Sequence, residues 1–136
     1  TQEKQANTSS TSQTLFNLKL LAYERIILFI ERIKPDSFIP RTLSPSLPYQ
    51  EYQLLLINEI RKEFEYNLSQ QLYLSENAWE VTVNFKDNII TLINSAATSC
   101  PPQATASDLA RKILEHYISS DLKGDQISKI VKAEIQ

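Results

Sequence analysis

Between Leu15 and Ile33 the chain reads LFNLKLLAYERIILFIERI, with apolar residues spaced for one side of a helix. At about 100° per residue, Leu15, Leu18, Ala22, Ile26, Phe29, Ile30 and Ile33 share a broad apolar face. Asn17, Glu24, Arg25, Glu31 and Arg32 fall opposite. Leu21 and Leu28 interrupt that polar side, and their separation of seven residues stacks them along one line. Either this helix is central and buried on both sides, or the two leucines form a second seam for a partner. The preceding residues 1–14, TQEKQANTSSTSQT, are polar and aperiodic and read as a flexible tether. Lys34-Pro35 ends the first helix, because the residue before proline disfavours helical backbone.

Residues 34–48 carry Pro35, Pro40, Pro45 and Pro48, giving a long, stiff connection. Phe38, Ile39, Leu43 and Leu47 are the apolar feet by which this strap would dock. A second helix is expected from about Pro48 to Tyr73. Proline suits its first turn, and Leu56, Ile57, Ile60, Phe64 and Leu68 form its main seam. Tyr52, Leu55, Tyr66 and Tyr73 are assigned to the far side. There they serve either as contact area for a partner or as a lightly covered bundle face.

Residues 75–97 are ambiguous. In WEVTVNF, Trp79, Val81, Val83 and Phe85 alternate with polar residues as a strand would, and a hairpin through KDN into IITLI can be drawn. A helix also fits: Val81, Phe85, Ile89, Ile90, Leu92, Ile93, Ala96 and Trp79 lie on one side. Glu76, Glu80, Asn84, Asp87 and Thr91 lie on the other. Ser75 is a good N-cap with Glu76 behind it, and the local reading is a helix. A fourth helix over about 107–119, capped by Ser107 or Thr105, turns Leu109, Ile113, Leu114 and Tyr117 inward. Gly124 is its expected stop signal. Asp125 then caps a short last helix carrying Ile127, Ile130, Val131 and Ile135.

Composition narrows the function. The chain has 136 residues, 42% hydrophobic and 22% charged, which is one globular domain with a real core. Its net charge of -2, without a basic stripe, argues against nucleic-acid binding. The single glycine, Gly124, excludes phosphate-cradling loops, dinucleotide fingerprints and nucleophile elbows, which all need glycines for close backbone approach. The lone Cys100 cannot form an internal disulfide and reads as an ordinary loop thiol. Glu63-x-x-Tyr66 resembles half of a di-iron motif, but the histidine is missing. The one histidine, His116, is paired with Cys100 only by elimination. No catalytic residue, metal ligand or cofactor is assigned.

The phrases LKLLAYERIILFIERIKP, IRKEFEYNLSQQLYLSENAWE and IITLINSAA resemble a family of small, uncharacterised bacterial proteins, over about residues 18–118. The resemblance implies a membrane-spanning helix ahead of a soluble helical domain, which suits a fragment opening at Thr1. It also implies a place at the cytoplasmic face of the inner membrane. It makes residues 75–97 a firm helix, and puts a histidine in relatives where Tyr66 stands here.

The expected protein is therefore all-α: 1–14 a tether, and 15–136 a compact bundle of four main helices plus a short C-terminal one. Its expected role is a non-enzymatic interaction or scaffold domain, meeting a protein partner or a second copy through Leu21, Leu28, Tyr52, Leu55, Tyr66 and Tyr73. The alternative is a ligand-binding or enzymatic domain, with Arg41 and His116 lining a pocket under the 34–48 strap.

Overall fold

The computed structural model describes residues 2–122 and 124–134, with side chains over 10–122 and 127–134. The elements are α1 (Gln2–Ile33), α2 (Pro35–Thr42), α3 (Tyr49–Tyr66), a 3-10 segment (Leu68–Tyr73), α4 (Glu76–Thr98), α5 (Ala106–Ser119) and α6 (Gly124–Ala133). Among the described residues there is no strand, and the fold is a compact all-α packing of these helices.

The ambiguous stretch resolves as α4. The Ser75 hydroxyl accepts from the Ala78 N–H at 3.0 Å, and Glu76 sits in the first turn. β-Branched Val81, Thr82 and Val83 lower intrinsic helix propensity only slightly. A long buried face outweighs that cost: Ala78, Thr82, Phe85, Ile89, Leu92, Ile93, Ala96 and Ala97 all point inward. Thr82 is buried without penalty because its hydroxyl donates to the Ala78 carbonyl at 2.8 Å.

The strap is half helix. Pro35 opens α2, and Phe38 and Ile39 are its docked feet, at 1% and 3% exposure. Leu47 is half-buried, while Leu43 stays exposed and does not dock. Beyond α2, the Tyr49 N–H donates to the Ala104 carbonyl (3.1 Å) and the Ala106 N–H to the Leu47 carbonyl (2.7 Å). This pair of bonds ties the entry of α3 to the entry of α5. Thr105 caps α5, and its N–H donates to the Asp108 carboxylate at 3.0 Å. That backbone bond, ahead of the other causes, holds the Asp108 carboxyl below its usual range.

Several boundaries differ from the sequence reading. α1 begins at Gln2, not residue 15. Its lead contains no Pro or Gly, so a helix nucleated on the packed apolar turns propagates through it. α3 stops at Tyr66. The Asn67 side chain donates to the Glu63 carbonyl (2.7 Å) and its N–H to that of Phe64 (2.9 Å), turning the chain into the 3-10 segment. α5 ends at Ser119, where the Ser120 N–H donates to the Tyr117 carbonyl (3.2 Å). Gly124 opens α6 rather than stopping α5, and Asp125 is its second residue, not its cap. The side chain of Asp125, and Ile135, lie outside the described residues.

One continuous core joins the helices. α1 packs on α6, the 3-10 segment, α4 and α2; α4 also packs on α3, α5 and α6. Ile26, Phe29, Ile30 and Ile33 meet Leu56, Ile60, Phe85, Ile89 and Ile93 within it. The C-terminal segment is fastened by Val131 (0% exposed) and by hydrogen bonds of Ser128 and Glu134. Ser128 donates to Glu31 at 3.0 Å, and the Glu134 carboxylate accepts from Ser75, Asn77 and Tyr23.

Candidate interaction surface

α1 presents two apolar faces of unequal fate. Ala22, Ile26, Phe29, Ile30 and Ile33 are buried as expected, but Leu15 and Leu18 are 45% and 38% exposed. Residues 10–19 are exposed throughout, so these two leucines lie where α1 runs beyond its packed turns. Leu21 and Leu28 are 52% and 58% exposed, and the core is complete without them. Of the two arrangements the sequence allows, α1 is buried on one side and leaves the leucine line outside.

The tyrosine stripe does not survive as a unit. Tyr52 is fully buried, and its hydroxyl lies 3.2 Å from the Thr42 hydroxyl. Desolvation raises the Tyr52 phenol above its ordinary pKa, against the opposing Thr42 hydrogen bond. It offers nothing to a partner. Leu55 is half-buried against the core. Tyr66 is 74% exposed at the last position of α3. Tyr73 is half-buried on the 3-10 segment, in a separate cleft with Phe16, Leu20 and Tyr23. The break at Asn67 removes the helical register that would have aligned Tyr66 with Tyr73.

Tyr66 and Leu28 instead share a cleft of about 370 Å³ between α1 and the end of α3. Phe29 forms part of its wall, and Arg25, Arg32, Glu59, Lys62 and Glu63 supply charge. Glu63 Oε1 accepts from Arg32 Nη2 at 2.8 Å and Nε at 3.2 Å, and meets Arg41 Nη1 at 3.5 Å. Arg41 also donates to the Arg32 carbonyl at 2.9 Å. The Glu63 hydrogen bond and its charge raise the Arg32 pKa further. Glu63-x-x-Tyr66 is thus a clasp between α1, α2 and α3 with an exposed tyrosine beside it. No group of three or more His, Cys, Asp or Glu suited to a metal ion occurs among the described residues.

Sequence reasoning missed this clasp. Its members are separated by 31 and 22 positions, and charge alone does not say which opposite charges meet. It also missed the stack of Phe64 on Trp79 (centroids 5.4 Å apart) with the Lys86 ammonium 4.1 Å from the Phe64 ring.

The alternative pair is dispersed. Arg41 is engaged in the clasp, and His116 is half-buried in the last turn of α5, lining none of the described clefts. Cys100 lies in the loop just past α4, as expected, but it is buried there. It is 9% exposed, its Sγ is 3.8 Å from the Ala96 carbonyl, and burial pushes its pKa up.

A family of unknown function, DUF7935, matches the chain over residues 1–136. The chain belongs to that family. Membership in DUF7935 agrees with the resemblance to an uncharacterised family and names no activity. No curated protein and no solved structure matches the chain. Among the described residues, no helix is long and apolar enough to cross a membrane.

Proposed function

We propose that this chain is a non-enzymatic protein-interaction or scaffold domain that engages a protein partner through the outward line of α1. The observation that carries the reading is the exposure of Leu21 and Leu28, at 52% and 58%, on a helix whose opposite face is core. Large apolar side chains aligned on a rigid element, with charged neighbours around them, have the make-up of a contact surface. Tyr66 extends that surface across the cleft, adding ring area with a polar tip. Of the residues first assigned to the surface, Leu21, Leu28 and Tyr66 carry the proposal; Leu55 and Tyr73 contribute at most an edge, and Tyr52 none.

In this reading the domain is bacterial and sits at the cytoplasmic face of the inner membrane. Both statements rest on the sequence resemblance alone, and the placement is tested by fractionating cells that express the protein.

The test is affinity capture by the full-length protein, wild type beside a Leu21→Glu, Leu28→Glu variant, with bound proteins quantified by mass spectrometry. A partner retained by the wild type and lost from a variant of unchanged helicity is the expected result. Identical sets captured by both would refute the assignment of these leucines.

A further inference from the structure

We infer that the outward line of α1 pairs with the same line of a second copy of this chain, the two helices running parallel. The inference rests on the interaction reading above and names the partner. Its starting point is a seven-residue repeat, Leu21-x-x-Glu24-Arg25-Ile26 followed by Leu28-x-x-Glu31-Arg32-Ile33. The isoleucines of both repeats are buried in the core and the leucines of both are exposed, so the repeat uses two sides of one helix.

At about 100° per residue, Glu24 and Arg25 fall about 50° to either side of the leucine line. Both are exposed, and neither has an ion-pair partner among the described residues. Glu24 thus lies on one flank of the seam and Arg25 on the other at nearly the same height, Arg25 at the rim of the α1–α3 cleft that Glu59 and Lys62 also line. A two-fold axis parallel to α1 exchanges the flanks. It sets Leu21 against Leu21 and Leu28 against Leu28 of the second copy, and Glu24 against its Arg25 on each side. A two-fold axis across α1 leaves each flank facing itself, Glu24 beside Glu24 and Arg25 beside Arg25. Charge therefore selects the parallel arrangement.

The second repeat contributes its leucine but not its charges. Glu31 accepts from Lys34 at 2.9 Å and from Ser128 at 3.0 Å, and Arg32 is held by Glu63. With two leucine layers and one reciprocal pair of ion pairs, the contact is small, and the dimer belongs to the weak, concentration-dependent class.

Sedimentation equilibrium from about 10 µM to about 1 mM tests this, a range suited to weak association. The wild type is expected to move from monomer to dimer. Glu24→Arg alone and Arg25→Glu alone place like charges on both flanks and should each weaken dimerisation about tenfold or more, with circular dichroism unchanged. Mixing those two variants in equal amounts should restore the dimer, because each then faces its opposite. The double charge swap, Glu24→Arg with Arg25→Glu, should dimerise like the wild type. Oxidised Leu28→Cys should cross-link to itself as a dimer, which the parallel register requires. A wild type that stays monomeric throughout the range overturns the self-pairing, as does a dimer indifferent to both single variants or a Leu28→Cys variant that forms no cross-linked dimer. Loss of self-pairing with a leucine-dependent foreign partner still captured refutes only this inference. Loss of both removes the interaction reading as well.

Discussion

Tyr52 separates a core role from a surface role most sharply. Its side chain has no exposure, and it packs among Leu56, Ile60 and the docked α2 residues Phe38 and Ile39 in one cluster. The Tyr52 hydroxyl shares a hydrogen bond of 3.2 Å with the Thr42 hydroxyl, which also lies 2.8 Å from the Phe38 carbonyl. Tyr52→Phe keeps the ring and removes one neutral hydrogen bond, for an expected loss of about 1 kcal/mol. Tyr52→Ala also empties a ring-sized space under α2, for a loss of about 3–5 kcal/mol. With a urea slope of about 2 kcal/mol/M, the alanine midpoint falls by roughly 2 M and the phenylalanine midpoint by about 0.5 M. Unfolding is followed by circular dichroism and by Trp79 fluorescence. A Tyr52→Ala protein within about 0.5 kcal/mol of wild type would refute the placement of Tyr52 in the core, since surface changes fall in that range.

Other expectations concern the cap, the tail and the thiol. Ser75→Ala removes the N-cap of α4 and should cost about 1 kcal/mol in urea denaturation. Glu134 has its carboxyl lowered below the ordinary value by hydrogen bonds from Ser75, then Asn77, then Tyr23, against desolvation. The folded form therefore prefers the ionised carboxylate. Its stabilising contribution is complete above the unfolded carboxyl pKa and fades as pH falls through the lower folded value. Glu134→Gln should flatten that part of the acid-stability curve. Buried Cys100, with its pKa raised, should react slowly with a thiol reagent in the native protein and promptly in urea. Equal rates in both states would contradict its burial.

Much of this fold was legible because long helices repeat one signal many times. In α4, Phe85, Ile89, Leu92, Ile93 and Ala96 outweigh the local alternation of WEVTVNF and are buried as the helical face predicts, while Trp79, Val81 and Ile90 are half-buried and the small Ala78, Thr82 and Ala97 complete the inward side. The leucine line of α1 was legible too, since two residues seven apart on a polar side must be covered or exposed. For Tyr52 the spacing is the stronger signal: 52, 56 and 60 step by four, one turn at a time, along the buried seam. Residue type, which pairs Tyr52 with Tyr66 and Tyr73, points to the wrong side of α3. The end of α3 was hidden because Asn67 acts through a side-chain hydrogen bond to the Glu63 carbonyl, which no hydrophobic pattern records. The Arg32–Glu63–Arg41 clasp, and with it the cleft beside Leu28, depends on how α1, α2 and α3 are packed. The start of α6 at Gly124 shows a related limit: a glycine marks a helix boundary, but not which helix it bounds.

The central claim is that Leu21 and Leu28 face outward from a core that is complete without them. Urea denaturation of the Leu21→Glu, Leu28→Glu protein at low concentration, where association is negligible, tests it directly. The account predicts native helicity and a stability within about 1 kcal/mol of wild type, as for exposed sites. A variant that unfolds, or that loses several kcal/mol as buried charges without partners would, contradicts it.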